Sequence, residues 1–147
     1  MTGVDLSAEE IRQARVTYSD LSLFSGSAYD HLTGQYGQLP VVLSLEVVEH
    51  VYAPCRYAKA VFNFFGRGGI GVIFTPYHGY RKNVALTLSE QLDAHFTVLW
   101  DQRHIKFWSI RTLNELLREA GFLGIKFHGV VCIPFLAKSM IAFTQKS

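Results

Sequence analysis

Apolar and polar positions alternate along the chain with two different periods, and the change of period marks the predicted elements. Short apolar or alternating runs predict strands, and apolar residues three to four apart predict helices. The strands are predicted near 2–5, 21–25, 41–44, 70–74, 125–131 and 140–144, and the helices near 8–16, 56–65 and 110–120. Strands and helices that alternate in this way predict an α/β fold with a mostly parallel sheet.

The ends of the predicted helices carry recognisable capping signals. Ser7 is placed to cap the first helix, Glu10 stands at the reciprocal capping-box position, and Leu6 is placed to pack on Ile11. Ser109 is expected to cap the last helix, and a glycine follows its last turn. The run Gly66–Gly69 is expected to break the helix before it, and Thr75-Pro76 to end the next strand.

The strand over 41–44 is apolar enough to predict burial on both faces, as in the middle of a parallel sheet. The start of the chain fits that sheet less well, since 2–5 supplies only the end of a strand. A doubly wound sheet normally begins with a strand and a glycine-rich turn. The sequence has no G-x-G-x-x-G turn between the strand over 2–5 and the first helix. We therefore expect one domain over residues 1–147 that is incomplete at its N-terminus.

Composition narrows the class of protein. The 147 residues are 49% hydrophobic and 18% charged, with a net charge of +2. Such a chain is long and apolar enough for a buried core. Its low net charge does not favour a nucleic-acid partner, and no apolar run reaches the roughly 18 residues of a membrane span. The N-terminus lacks the features of a secretion signal. Cys55 and Cys132 are typical of buried thiols, so we expect a cytoplasmic protein.

The stretch LEVVEH, residues 45–50, follows the apolar strand directly. If a helical turn begins here, Glu46, Glu49 and His50 share one face. Two carboxylates and an imidazole suit a divalent ion such as Mg²⁺. The alternative is an acidic cluster at a helix start beside a structural histidine. The strand-end position favours a site, because α/β sheets bind ligands at their carboxyl edge.

Three further residues are candidates for chemistry. Asp5 ends a strand before a capped helix, where a carboxylate can accept both hydroxyls of a ribose; its alternative role is a solvated turn or helix-terminus charge. His104 lies in an irregular segment that could fold over the same edge, as a fourth ligand or general base, or as a loop histidine packed among aromatic rings. His78 follows another strand and could also face the cleft.

Together these residues resemble a known family. The stretches GVDLS, GSAYD, VVLSLEVVEHVYAP, FTPYHGYRKN and HIKFWS look like those of class I S-adenosylmethionine-dependent methyltransferases, especially the ubiquinone-pathway O-methyltransferases. The resemblance implies a Rossmann-like, doubly wound sheet with an antiparallel C-terminal strand. It also implies S-adenosylmethionine as the cofactor, transfer of its methyl group to an oxygen of a small-molecule acceptor, and assistance by Mg²⁺ or another divalent metal.

The resemblance also implies roles for individual residues. The cofactor would be bound by Asp5 and Leu6 at the ribose, by Ser27 and Ala28 near the adenine, and by Ser44 and Leu45 near the methionine end. The metal ligands would be Glu46, Glu49, His50 and His104. The candidates for moving the acceptor's proton are His104 and His78.

The chain departs from the family in one major respect, the absence of the first strand and its glycine-rich cofactor loop. In the family that strand lies between the strand ending in Asp5 and the strand over 41–44, so its absence implies either a central gap or direct pairing of those two strands. Ser27 and Pro40 also replace acidic residues common in the family. Two hypotheses follow: a methyltransferase completed by a partner, by a second copy or by sequence not present here, or a truncated, non-catalytic methyltransferase-like module.

Overall fold

The computed structural model describes residues 1–89, 105–130 and 137–146. The chain order within these ranges is β1 (Thr2–Asp5), α1 (Ala8–Thr17), β2 (Ser22–Ser25), α2 (Leu32–Tyr36), β3 (Leu39–Leu45), α3 (Pro54–Phe64), β4 (Phe65–Pro76), α4 (Tyr80–Leu88), α5 (Ile110–Ala120), β5 (Leu123–Val130) and β6 (Ser139–Gln145). The predicted strands and the three predicted helices are confirmed. The short helices α2 and α4 lie in segments for which the pattern predicted no helix.

The strands form two sheets. In the first, β1 pairs with β2 in parallel. In the second, the order is β3-β4-β6-β5, with β3 and β4 parallel and β6 antiparallel to both of its neighbours. The α/β fold with an antiparallel C-terminal strand is therefore confirmed.

The two sheets are separate at the point where the family's first strand would lie. Within the described ranges β1 pairs only with β2, and β3 only with β4, so the chain has a gap rather than direct pairing. Tyr29 links the turn after β2 to the start of α3. Its hydroxyl accepts a hydrogen bond from the Ala53 amide at 2.9 Å, and the Arg56 guanidinium lies 5.3 Å from its ring centroid.

Strand β3 is buried on one face only, so the prediction of burial on both faces was wrong. Its side chains alternate: Ser44 is buried, whereas Val41, Leu43 and Leu45 are 55%, 54% and 58% exposed. Helices α3 and α5 lie against the sheet, and the residues buried beneath them include Ile73, Leu113, Leu117, Met140 and Ala142. The exposed side chains of β3 project from the other face of the sheet.

The start of α1 differs from the expected capping box. The Ser7 hydroxyl does accept from the Glu10 amide at 3.2 Å, which confirms the cap. The Ser7 amide, however, donates to Oδ1 of Asp5 at 2.7 Å, so the aspartate takes the role expected of the Glu10 side chain. Ile11 is buried while Leu6 is 79% exposed, so the predicted contact of Leu6 on Ile11 is also wrong.

Some of the other local predictions are confirmed and some are wrong. At α5, Ser109 and Thr112 form a reciprocal capping box, and Gly121 ends the helix with a φ of 108°. Helix α3 ends at Phe64, before the glycine run is reached, and the glycines belong to β4, which begins at Phe65. Cys55 is an exposed free thiol and not a buried one, and Cys132 lies outside the described residues. None of the described helices has the length and apolar character needed to cross a membrane.

Candidate functional site

The carboxyl end of β1 places Asp5 at the surface. Its backbone carbonyl accepts from the Gly26 amide at 2.8 Å, which ties the end of β1 to the end of β2. Its side chain is exposed and is held by the hydrogen bond from the Ser7 amide to Oδ1. An oriented carboxylate at a strand end is suited to accept hydroxyl hydrogen bonds. Leu6 follows it with its side chain in solvent.

The turn after β2 is built by short polar contacts. The Ser27 amide donates to Oδ2 of Asp30 at 2.7 Å, and the Tyr29 amide donates to Oγ of Ser27 at 3.2 Å. Ala28 and Tyr29 are partly buried and pack on the main core cluster. The structure therefore holds Ser27 and Ala28, the predicted adenine-side residues, in a defined turn that is fixed to the start of α3 through Tyr29.

Ser44 and Leu45 end β3 with opposite orientations. The Ser44 hydroxyl hydrogen-bonds the Tyr57 hydroxyl inside the core. Burial raises the pKa of Tyr57 to about 12; the hydrogen bond with Ser44 lowers that pKa, and the negative charge of Glu49 raises it. The Leu45 side chain is exposed. Of this pair, Leu45 therefore presents its side chain to solvent while the Ser44 hydroxyl is engaged with α3.

Residues 46–50 form a turn and not the first turn of a helix. Glu46 has a φ of 52°, and its amide donates to the Phe74 carbonyl at 3.0 Å, so β3 and β4 stay paired up to this point. Glu46 and His50 are exposed, but Glu49 is only 1% exposed. The i, i+3, i+4 spacing therefore does not place the three side chains on one shared face here.

Glu49 is bound into the core from two directions. The Thr75 hydroxyl donates to its Oε2 at 3.0 Å. The amides of Ile105 and Lys106 both donate to its backbone carbonyl at 3.0 Å. Trp108 adds a third tie to the same turn, because its indole N–H donates to the Val48 carbonyl at 3.0 Å. The segment 105–108 thus lies along the 46–50 turn at the carboxyl edge of the sheet.

The predicted metal ligands do not form a complete cluster in the described part of the chain. Among residues 1–89, 105–130 and 137–146, no three His, Cys, Asp or Glu side chains lie close enough to hold a metal ion. His104, the predicted fourth ligand and candidate base, lies outside these ranges. The described donors alone do not fit a metal site, so no chemical step is derived through a metal.

His78 follows β4 but does not present its ring to open solvent. Both ring nitrogens are buried, and the ring packs edge-on against Phe107 with 4.7 Å between centroids. Its amide donates to the Trp108 carbonyl at 2.8 Å. His78 thus lies in the region where segment 105–108 meets the end of β4.

Tyr57, Thr75 and Trp108 support this site and were not singled out from the sequence. Tyr57 belongs to the apolar stripe of α3, so its pattern predicts a core residue and gives no sign of the Ser44 contact. Thr75 closes an apolar strand, and Trp108 stands in the aromatic HIKFWS stretch. A polar group at the end of a buried strand was the signal that could have identified Thr75.

Comparisons with known proteins agree with this architecture. Residues 1–126 match the family described as methyltransferase domain. The ubiquinone biosynthesis O-methyltransferase of Psychrobacter arcticus is 23% identical over 128 residues, which cover 83% of this chain and 50% of that protein. The chain therefore spans about half the length of this curated relative.

Solved structures show the same fold. A SAM-dependent methyltransferase from Archaeoglobus fulgidus superposes with a TM-score of 0.72 at 14% identity, covering 99% of this chain and 75% of that one. A chain in the complex between the Haloferax volcanii Trm112 methyltransferase activator and its methyltransferase gives a TM-score of 0.70 at 15% identity, with 98% and 70% covered.

Proposed function

Because the chain belongs to the methyltransferase-domain family, we propose that it transfers the methyl group of S-adenosylmethionine to an oxygen of a small-molecule acceptor. The observation that carries the proposal is Asp5. It is an exposed carboxylate at the carboxyl end of β1, and its orientation is set by the Ser7 amide. A carboxylate in this position accepts the ribose hydroxyls of a nucleoside cofactor.

The other cofactor contacts follow the strand ends. Ser27 and Ala28 lie in the ordered turn after β2 and would approach the adenine. At β3 the side chain nearest the methionine end would be that of Leu45, since the Ser44 hydroxyl is bonded to Tyr57. The role we assign to Ser44 is therefore to fix the strand end and offer its backbone. With the methyl donor and acceptor held in line, positioning supplies much of the rate.

Proton transfer from the acceptor hydroxyl is assigned to His78 or His104. His78 would act only after its ring moves away from Phe107, because both ring nitrogens are buried. His104 directly precedes Ile105, whose amide binds the carbonyl of Glu49. We favour His104 as the base, because the resemblance implies it and the His78 ring is packed against Phe107.

We also propose that a further strand completes the sheet between β1 and β3. Each of these strands pairs with only one other strand in the described residues. An open edge presents unpaired N–H and C=O groups, which readily pair with another strand. The strand would come from a partner polypeptide, from a second copy or from a longer form of this protein. The Trm112 activator bound to one solved relative is a precedent for a partner of this kind of domain.

Cofactor binding tests the proposal directly. Isothermal titration calorimetry with S-adenosylmethionine should give a micromolar Kd, and Asp5→Asn should weaken binding by at least ten-fold. This variant keeps an oxygen for the Ser7 amide but removes the charge that strengthens the ribose hydrogen bonds. The matched control is Asp20→Asn, an exposed turn residue, which should bind as the wild type does.

The second candidate function is a non-catalytic methyltransferase-like module, and the gap between β1 and β3 favours it. No heat on titration with S-adenosylmethionine, from a chain that is folded by circular dichroism, would support that module and reject binding by this chain alone. If adding a partner that supplies the missing strand recovers S-adenosylmethionine binding, the result would again favour the enzyme over the non-catalytic module. A micromolar Kd for the chain by itself would reject the module.

A metal site is a separate prediction that comes from the resemblance, since the described donors do not form one. Its ligands would be Glu46, Glu49, His50 and His104. Glu49→Ala is a poor test, because it also removes the buried contact with Thr75. Thermal melts in millimolar Mg²⁺ or Mn²⁺ should instead compare the wild type with His50→Ala, whose side chain is exposed. A metal-induced rise in Tm that is equal in both proteins would reject His50 as a ligand.

A further inference from the structure

A cavity of about 330 Å³, which we call the α5–β5 cavity, lies where the end of α5 meets the start of β5. Its lining includes Asn114, Arg118, Phe122, Leu123, Gly124 and Ile125. Leu123 and Ile70 both pair with Gln145, so the cavity is level with the beginning of β4. The candidate cofactor site lies at the carboxyl edge of the sheet, near Thr75, and five residues of a strand span about 16 Å. The α5–β5 cavity is therefore separate from that site.

The backbone at the start of β5 leaves this space open. Gly121 ends α5 with a φ of 108° and turns the chain back toward the sheet. The pairing of β5 with β6 is irregular between Leu123 and Lys126, and Gly124 lies in this interval with a φ of 60°. A Cβ at Gly124 would have no heavy atom within 4 Å. The strand start therefore has open space around it where it lines the cavity.

Arg118 lines the α5–β5 cavity without an ion pair or hydrogen bond from its guanidinium to any described residue. Glu115 lies one helical turn before it and is within reach by spacing. Glu115 is instead paired with Arg111 at 3.4 Å. The other arginines of α1 and α3 also have partners: Arg12 with Glu9, Arg15 with the Leu23 carbonyl and Arg56 with the Tyr29 ring. The Arg118 guanidinium is thus available to a ligand in the cavity.

Asn114 adds a second polar group on the same side of α5, four residues before Arg118. Its carboxamide also forms no hydrogen bond with the described part of the chain. The planar fork of a guanidinium matches a carboxylate, and a neighbouring amide N–H₂ can donate to the same group. Glu115 and Glu119 are exposed on the same helix, and their charges disfavour a ligand with more than one negative charge.

The rest of the lining is apolar. Phe122 is buried, whereas Leu123 is 58% exposed and Ile125 is partly exposed, so these two residues offer apolar surface to a ligand. Ligand pockets combine such walls with a few polar groups, and their volumes begin at about 300 Å³. The α5–β5 cavity is at the small end of that range. Its chemistry suits a small molecule with one carboxylate and a short apolar body.

We propose that the α5–β5 cavity binds a small organic monocarboxylate. The carboxylate pairs with the Arg118 guanidinium and accepts from the Asn114 amide, and the apolar body packs on Leu123 and Ile125. The proposal goes beyond the proposed function, because it requires neither cofactor binding nor methyl transfer.

Phenylacetate and phenylacetamide test the ligand chemistry, because the two molecules have the same shape and only the first is charged. Titration of the ¹⁵N-labelled full chain, followed by amide chemical shifts, should give a Kd on the order of 1 mM for phenylacetate. Phenylacetamide should bind about ten-fold more weakly, since it lacks the charge that strengthens the bond to Arg118. Equal binding of the two would overturn the carboxylate assignment. Tighter binding of inorganic phosphate than of phenylacetate would overturn the choice of a monocarboxylate with an apolar body.

A matched pair of arginine variants on α5 tests the location. Arg118→Gln keeps a polar side chain but removes the charge, and it should weaken phenylacetate about ten-fold. Arg111→Gln removes an exposed charge at the other end of the same helix and should bind as the wild type does. Similar losses in both variants would show that binding depends on the net charge of the chain and not on this cavity.

The same spectra locate the ligand without any variant. The largest shifts should fall on the amides of Phe122, Leu123 and Gly124, and shifts confined to other segments would reject the site. They also show whether Arg118→Gln is folded, because the spectrum outside α5 and β5 should match that of the wild type. Since no measurement here uses S-adenosylmethionine, failure of this proposal leaves the methyltransferase proposal intact, and failure of cofactor binding leaves this proposal intact.

Discussion

The hydroxyls of Ser44 and Tyr57 hydrogen-bond each other in the interior, and they join the end of β3 to α3. Both side chains are buried, Tyr57 to within 2% of full burial. The contact therefore fixes the strand end that the proposed cofactor site uses, although neither hydroxyl faces the site. Its energetic weight can be measured.

Tyr57→Phe removes this hydrogen bond and leaves the buried Ser44 hydroxyl without that partner. We expect the free energy of unfolding at neutral pH to fall by about 1–2 kcal/mol, the usual effect of losing one buried partner. Urea denaturation measures it. The control is Tyr52→Phe at an 82% exposed position, which should change stability by less than about 0.5 kcal/mol. Equal losses in the two variants would contradict a special role for the Tyr57 hydroxyl.

The raised pKa of Tyr57 predicts a dependence of stability on alkaline pH. An ordinary tyrosine has a pKa near 10, and burial raises that of Tyr57 to about 12. Between these values the unfolded chain releases the proton before the folded chain does. Stability from this group is thus complete below about pH 10 and is lost as the pH rises toward 12.

Denaturation at pH 9 and pH 11 checks the expectation. The wild type should lose on the order of 1 kcal/mol more over this interval than Tyr57→Phe does, because the variant has no phenol to ionise there. Tyr52→Phe should follow the wild type. A Tyr57→Phe variant as alkali-sensitive as the wild type would show that other groups account for the whole loss.

Thr75→Val keeps the side-chain shape but removes the hydroxyl that donates to Glu49. Because the carboxylate is almost fully buried, losing a donor should cost about 1–3 kcal/mol of unfolding free energy. Thr75→Ser retains a hydroxyl and should recover part of that loss. Thermal or chemical denaturation of the pair measures the difference. If serine is no better than valine, the hydrogen bond does not explain the effect.

Trp108→Phe should loosen segment 105–108 from the turn at residues 46–50. The substitution removes the indole N–H that donates to the Val48 carbonyl, and it shortens a buried side chain. We expect a loss of about 1–3 kcal/mol and faster hydrogen exchange at the amides of Ile105 and Lys106. Exchange at the distant amides of α1 should rise only as much as global stability falls. Unchanged exchange at Ile105 and Lys106 would contradict the proposed tie.

Gly121→Ala tests the end of α5. Gly121 has a φ of 108°, and a Cβ there would lie 3.1 Å from the Phe62 ring. Gly124 has a φ of 60° with open space around it. Gly124→Ala should therefore cost about 1 kcal/mol from the left-handed backbone alone, and Gly121→Ala about 2 kcal/mol or more. Equal costs in denaturation would show that the contact with Phe62 adds nothing.

The elements were largely predictable because their signals are local. The caps at Ser7 and Ser109 and the glycine after α5 lie within a few residues of the groups that they satisfy. The family resemblance also came from contiguous stretches, and the matched family confirms it over residues 1–126. The predicted capping box at α1 was wrong about one hydrogen bond. The Ser7 amide donates to the side chain of Asp5, which is closer in sequence, and not to that of Glu10.

The candidate site was predictable in position but not in orientation. The LEVVEH stretch does lie at the carboxyl end of β3, as its sequence indicates. Spacing alone could not show that Glu49 faces Thr75 while Glu46 and His50 face solvent. That division depends on whether residues 46–50 form a helix or a turn. The turn is held by contacts that are distant in sequence, such as the hydrogen bond from the Trp108 indole to the Val48 carbonyl, 60 positions away.

By itself the sequence determined the alternation of strands and helices, the α/β class, the family and the placement of Asp5 at a strand end. Only the tertiary structure decided that β1 and β3 stay apart, that β3 is buried on one face, and that Ser44 and Glu49 face the core. The physical reason is that periodicity and capping act within one segment. Burial depends on which surface packs against a strand, and an apolar strand has the same pattern whether both of its faces are covered or one.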